Sequence, residues 1–182
     1  MQADEKILEK CKDGDREAFR LVVQCYQRMV FSLALKMLCD EEEAKDAVQD
    51  TFLRLWQNIS DYKKGANAAT WIYTIASHVC LDRLRRKQRE QPLPADEELL
   101  RAYVEEESPE RRLENSELGR VVRLLAEGLS PKQQLVFTLS HLEGLSTGEI
   151  MEISGLDASQ IKSNLYVARQ SIRKRLKELG YE

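Results

Sequence analysis

The sequence predicts an all-α protein of two small helical domains joined by an acidic linker, and three observations carry that prediction. Short oxygen-bearing residues followed three positions later by Glu or Gln recur at Asp40/Glu43, Ser130/Gln133, Ser146/Glu149 and Asp157/Gln160. In such a pair the first side chain accepts from free amides of the opening helical turn, while the second reaches back to the cap's own N–H. Between the caps, apolar residues return at three- and four-residue steps, the period of a helix with one buried face. The stretch 90–114 breaks the pattern with Pro92, Pro94, Pro109 and the acidic runs Asp96–Glu98 and Glu105–Glu107. The expected division is therefore 1–89, a linker over 90–114, and 115–182.

Taken in order, Phe19, Val22, Val23, Tyr26, Val30, Leu33 and Met37 mark one face of a long helix over Asp15–Leu38. Cys39-Asp40 ends it, and Asp40 with Glu43 opens a second helix to about Gln57. Its inner face is Ala44, Val48, Phe52 and Leu55, and its other side carries Asp46, Gln49, Asp50 and Leu53. Read on its own, that stripe is a solvated face holding one stray leucine.

A loop over Ser60–Ala69 contains Lys63, Lys64, Gly65 and Asn67, and Asn67 suits the cap of a third helix reaching Gln88. Ile72, Ile75, Ala76 and Val79 make its core side, while Trp71, His78, Asp82 and Arg85 fall on a neighbouring side. Its end is strongly basic, with Arg83, Arg85, Arg86, Lys87 and Arg89. Cations at a helix C-terminus also suit its dipole. Combined with a lysine-bearing loop and a tryptophan, however, they supply the phosphate contacts and stacking surface that single-stranded nucleic acid needs.

Past the linker, Leu118, Val121, Val122 and Leu125 predict a helix over Leu113–Ala126 that Gly128 ends. Pro131 follows the Ser130 cap at the first helical position, where its missing N–H costs nothing. A short helix over Thr147–Ile153, the turn Ser154-Gly155-Leu156 and a long basic helix then outline a helix-turn-helix. In the last helix Ile161, Leu165, Ala168, Ile172, Leu176 and Leu179 face inward. Ser159, Gln160, Lys162, Ser163, Tyr166 and Arg169 are left on the outer face of its beginning, where a recognition helix reads base edges.

The bulk properties of the 182 residues agree with a helix-rich protein: 42% hydrophobic, 32% charged. No apolar run is long enough to cross a bilayer, Met1–Lys12 has no signal-peptide core, and a cytoplasmic address without membrane insertion is expected. Cys11, Cys25, Cys39 and Cys80 are scattered without a C-x-x-C pair, so reduced thiols are expected rather than a metal site. The net charge of −3 is unevenly spread: +2 over 1–89, −6 over 90–114 and +1 over 115–182. The acidic middle thus conceals basic patches at both ends.

Two blocks of sequence resemble a known family. Ala47-Val48-Gln49-Asp50-Thr51-Phe52-Leu53-Arg54-Leu55-Trp56, then Thr70–Ala76 and Leu81–Arg86, resemble region 2 of bacterial extracytoplasmic-function sigma factors of the sigma-70 family. Leu129–Gln134, Glu143–Ile150, Lys162-Ser163 and Ala168-Arg169 resemble their region 4. The resemblance implies a transcription initiation factor whose partners are core RNA polymerase and promoter DNA, with no catalytic residues, cofactor or metal. Asp46, Gln49, Asp50 and Leu53 would grip the polymerase clamp helices, reversing the reading of a stray leucine. The loop with Lys63, Lys64 and Asn67 would capture a flipped base of the minus-ten element. Trp71, His78, Arg83, Arg85 and Arg86 would hold the separated strand, and the last helix would read the minus-thirty-five element. The linker would thread the RNA-exit path, and its flexibility would let an anti-sigma factor clamp the two domains together. His78 stands where the family often has Asn, and Asn164 and Val167 where it often has basic residues.

Other classes account for less. A helix-turn-helix regulator acting without polymerase has no reason to carry the Gln49-Asp50 helix together with the Trp71–Arg89 helix. A protein-only adaptor leaves the polar start of the last helix unexplained. An enzyme is disfavoured because His78 and His141 lie in different domains and no nucleophile elbow, phosphate loop or metal spacing occurs.

Overall fold

The computed structural model describes residues 5–90, 128–178 and Gly180, and α-helices account for nearly all of them. The expected helix over 113–126 and the linker from residue 91 onward lie outside the described residues, while Glu90, the first residue of the expected linker, closes a helix of the first half. Helix α1, Glu5–Lys12, sits in a stretch that sequence reading treated only as polar. It buries Leu8 and Cys11 completely or nearly so against the second helix. Full burial of one leucine contributes roughly 1.5–3 kcal/mol, enough to hold a two-turn helix in place.

Helix α2, Arg16–Leu38, opens where Asp15 accepts from the amides of Glu17 and Ala18 at 2.9 and 3.0 Å. It buries Val22, Tyr26, Val30, Leu33 and Met37, while Phe19 and Val23 stay half-buried at its rim. It ends at Cys39, which adopts a left-handed φ of 54° and closes the last turn on the Leu35 carbonyl. Helix α3, Glu41–Gln57, starts at Asp40, whose carboxylate accepts from the Glu43 amide at 3.0 Å. The reciprocal half of that box is a correction: the Glu43 carboxylate pairs across the bundle with Arg83 at 2.5 Å. A charged partner gives that carboxylate a stronger hydrogen bond than its own backbone would.

A short 3-10 turn, Ile59–Asp61, leads to helix α4, Ala68–Glu90, two residues longer than expected. Helices α2, α3 and α4 pack on one another around Leu33, Met37, Ala44, Leu55, Ile72 and Val79. The rings of Trp56 and Phe19 meet edge to face, 4.8 Å between centroids.

Among the described residues the second half has three α-helices. Helix α5, Pro131–Phe137, carries the full Ser130/Gln133 box and runs on through a π turn, Thr138–Leu142. Helix α6, Thr147–Ser154, carries the Ser146/Glu149 box and stops at Gly155, whose φ of 69° a side chain would strain. Helix α7, Ala158–Glu178, starts at the third box, with Asp157 and Gln160 exchanging bonds at 2.8 and 3.0 Å. Ile150, Ile153, Ile161 and Ala168 are buried where α5, α6 and α7 meet. Leu165, Ile172 and Leu176 are half-buried rather than fully inward.

The two halves touch. Helix α4 lies against α6 and α5, and their buried residues form one continuous apolar cluster. Buried Gln134 donates from Nε2 to the Met37 carbonyl at 2.5 Å. Glu143, just past the π turn, receives Lys36 at 2.6 Å on one carboxylate oxygen and the Tyr73 hydroxyl at 2.8 Å on the other. Lys36 also donates to the Leu142 carbonyl at 3.2 Å. No helix among the described residues is long and apolar enough to cross a membrane.

Candidate nucleic-acid interface

At the start of α7 the reciprocal bonds between Asp157 and Gln160 fix where the helix begins, and therefore which residues share its outer face. Ser159, Gln160, Lys162, Ser163, Tyr166 and Arg169 are all exposed there, with Tyr166 at 64%. They do not all have idle polar atoms. The Gln160 side-chain oxygen is occupied by the Asp157 amide. Arg169 donates from Nε to His141 Nε2 at 3.1 Å, which anchors its guanidinium against the π turn. Asn164 is half-buried and returns its amide to the Gln160 carbonyl at 2.8 Å, so its polarity is spent within the helix. Val167 is 41% exposed and adds an apolar spot to the same surface.

In the first half, the loop ahead of α4 is built rather than loose. Tyr62 is buried and donates to the Ala66 carbonyl at 2.6 Å, and the Ala66 amide returns to Lys63 at 3.0 Å. Gly65 supplies the left-handed φ of 83° that this tight reversal needs. Lys63 and Lys64 are thereby turned outward and exposed. Asn67 accepts from the amides of Ala69 and Thr70 at 2.9 and 3.3 Å, so its oxygen caps α4. The half-buried Trp71 ring leans on Tyr62, centroids 5.3 Å apart, and His78 is exposed on the same helix.

The basic end of α4 divides. Arg85 and Arg86 are exposed, with Arg85 3.7 Å from Asp82, which also receives Arg54 at 3.2 Å. Arg83 is different: its side chain is only 13% exposed, with Nη1 on Glu43 at 2.5 Å and Nη2 on Asp50 at 2.6 Å. Burial opposes its charge, but the bonds from Asp50 and Glu43 outweigh it and raise its pKa. Both Nη atoms of Arg83 are thus committed to carboxylates of α3, whereas the Arg85 and Arg86 side chains next to it are exposed. A basic cluster in the sequence could not reveal this, because Glu43 and Asp50 are 40 and 33 residues away.

On α3, Asp46 and Gln49 are exposed and Leu53 is 57% exposed. The Asp50 carboxylate is 46% exposed even while holding Arg83.

Among the described residues no cluster of His, Cys, Asp and Glu could hold a metal ion. None of the four cysteines is in a disulfide. Burial, with Asp15 nearby, pushes the Cys11 thiol up to about 11, and burial raises Cys80 to about 12. Thiols so far from ionising are packing groups rather than nucleophiles.

Comparison with known proteins agrees with this geometry. A family model for Sigma-70 region 2 matches residues 22–90, and one for Sigma-70, region 4 matches residues 120–172. The ECF RNA polymerase sigma factor SigW of Bacillus subtilis is 29% identical over 96% of this chain and 97% of its own length. The RNA polymerase sigma-H factor of Pseudomonas aeruginosa is 27% identical over 98% and 96%. In fold, the chain resembles CnrH, solved in complex with the cytosolic domain of CnrY: TM-score 0.68, 21% identity, 97% of this chain and 99% of that one. The sigma factor RpoE of Bartonella quintana, solved with the anti-sigma factor NepR, gives a TM-score of 0.62 at 22% identity, over 87% of this chain and 96% of that one. Two region models in the expected order, with relatives matching end to end, establish that this chain belongs to the sigma-70 family, in its extracytoplasmic-function branch.

Proposed function

We propose that this sigma factor divides promoter-specific initiation among three surfaces. The α3 stripe of Asp46, Gln49, Asp50 and Leu53 binds core RNA polymerase. The built loop with Lys63 and Lys64, together with Trp71, His78, Arg85 and Arg86, captures and holds the melted minus-ten strand. The exposed face of α7 reads the minus-thirty-five element as duplex. On this reading residues 1–89 and 115–182 are the two working domains and 90–114 joins them. The factor is cytoplasmic, carries out no covalent chemistry, and has an anti-sigma factor as a further partner, as the B. quintana neighbour does.

The observation that best supports this division is the Leu53 stripe. A regulator that bound duplex DNA alone would gain nothing by exposing a leucine among carboxylates on a helix far in sequence from its reading helix. Energetics are consistent: extruding a base costs a few kcal/mol. Stacking on an aromatic returns about 1–3 kcal/mol per base.

Reconstituted transcription with purified core polymerase is the test. Initiation from a defined promoter class, with poor binding to isolated duplex, is the expected result. Tight duplex binding without polymerase, and no initiation with it, would favour the helix-turn-helix regulator instead. Within that assay, replacing Lys162 and Ser163 together by Ala should impair minus-thirty-five dependence and leave core binding intact. An equal fall in core binding would show that the surfaces are wrongly divided.

A further inference from the structure

Arg169 differs from the other residues of the α7 reading face in where it lies and in what holds it. Ser159, Ser163, Tyr166 and Val167 are exposed opposite the buried Ile161 and Ala168, whereas Arg169 flanks that face on the edge beside the π turn. Lys162 and Arg173, seven residues before it and four after, fall along the same edge, and all three are exposed. The Arg169 guanidinium is tethered there, its Nε on Nε2 of His141 at 3.1 Å. Arginine only donates, so Nε2 is the acceptor and the imidazole is the neutral tautomer with its proton on Nδ1. That proton is donated to Ser140 Oγ at 3.1 Å. The same ring leans on Phe137, centroids 4.8 Å apart. His141 stands on the π turn, where the Glu143 amide closes on the Thr138 carbonyl at 2.9 Å. Such wide turns are rare and recur at functional sites.

We propose that His141 is a positioning residue for minus-thirty-five recognition, holding Arg169 so that its two Nη groups meet a backbone phosphate of the duplex. The inference rests on the sigma reading and adds to it a residue outside the reading helix. Position favours a phosphate over a base. With Nε occupied, the guanidinium has only its Nη end to offer, and offers it from the flank of α7. The outermost residues of a reading helix meet base edges, while groups beside them fall on the backbone and fix register. Lys162, Arg169 and Arg173 would then follow one strand. A long side chain loses rotamer freedom when it pins a phosphate, and one tethered beforehand loses less, which appears as affinity. His141 provides the tether without cancelling charge. A carboxylate in its place would offset the guanidinium, whereas a neutral imidazole leaves the positive charge for the DNA.

A double-mutant cycle tests this in the reconstituted holoenzyme, on a promoter fragment from which it initiates, with affinity measured over a range of KCl concentrations. Arg169→Ala should weaken binding to a similar extent across minus-thirty-five sequence variants and lower the magnitude of the salt slope by about one. His141→Ala should lower affinity by about two- to tenfold. In an Arg169→Ala background the same change should cost nothing, because the cycle isolates effects that pass through the pair. His141→Gln, whose side-chain oxygen keeps an acceptor at similar reach, should recover most of the loss. Both positions are exposed, so melting temperatures should stay level in every variant. An equal loss from His141→Ala with and without Arg169, or no recovery with Gln, would overturn the positioning role. A loss from Arg169→Ala confined to one base pair, with the salt slope unchanged, would place Arg169 on a base and overturn the phosphate assignment. A wild-type factor that fails to initiate with core polymerase sinks the sigma reading, and this inference with it, before any variant is compared.

Discussion

Arg83 on α4 donates to Asp50 on α3 at 2.6 Å, joining the helix expected to hold promoter DNA to the helix expected to hold polymerase. The same guanidinium reaches Glu43 at 2.5 Å. The pair also positions Asp50, whose remaining exposed surface is what a polymerase contact would use.

Replacing Arg83 by Met should therefore weaken core binding and stability together, with little loss of single-strand contact. Both carboxylates are nearly half exposed, so solvent screens much of the attraction. The cost should be about 1–2 kcal/mol, seen as a melting temperature lower by several degrees. Selective loss of minus-ten binding with stability intact would mean that Arg83 touches DNA after all.

Leu53→Glu tests the docking stripe in isolation. The side chain is 57% exposed, so folding stability should stay within about 0.5 kcal/mol of wild type. Core affinity measured by polymerase pull-down or fluorescence should drop at least tenfold, because a charge would face an apolar contact. Unchanged affinity would return Leu53 to the solvated surface.

Trp71→Ala should shorten the lifetime of the open promoter complex by removing one stacking surface, worth about 1–3 kcal/mol. Duplex recognition at the minus-thirty-five element should be unaffected, as α7 does not include this ring. Permanganate footprinting of the melted strand distinguishes this from a general loss of fold.

The capping box at Ser146 predicts a pH dependence. Glu149 accepts from the Ser146 hydroxyl and amide, and these bonds lower its pKa below the usual carboxylate value. A lowered folded-state pKa means the contribution is present above the unfolded value and lost as pH falls through the folded one. Thermal melts from neutral to acidic pH should thus show a loss that Glu149→Gln reduces, since the amide is insensitive to pH over that range. Equal slopes for both proteins would remove Glu149 from the cause.

Local chemistry made much of the fold legible. The caps at Asp40, Asn67, Ser130, Ser146 and Asp157 announce where helices start because an N-cap acts within a few residues of chain. Helix periodicity likewise foretold the buried faces of α2 and α3. Helix α1 was missed because two buried residues, Leu8 and Cys11, make too short a pattern in a polar stretch.

The sequence alone determined the helical class, the order of helices α2 to α7 and the exposed side of α7, since each depends on neighbours within one or two turns. Only the tertiary structure decided that Arg83 is consumed by Glu43 and Asp50, that Asn164 turns inward on its own helix, and that Glu143 joins the two halves through Lys36 and Tyr73. The physical reason is range. Hydrogen bonds within a helix are read from spacing, whereas an ion pair between residues up to 107 positions apart exists only once packing brings them within 3 Å. Which charges face solvent and which face each other is therefore settled by the assembled helices, not by any one of them.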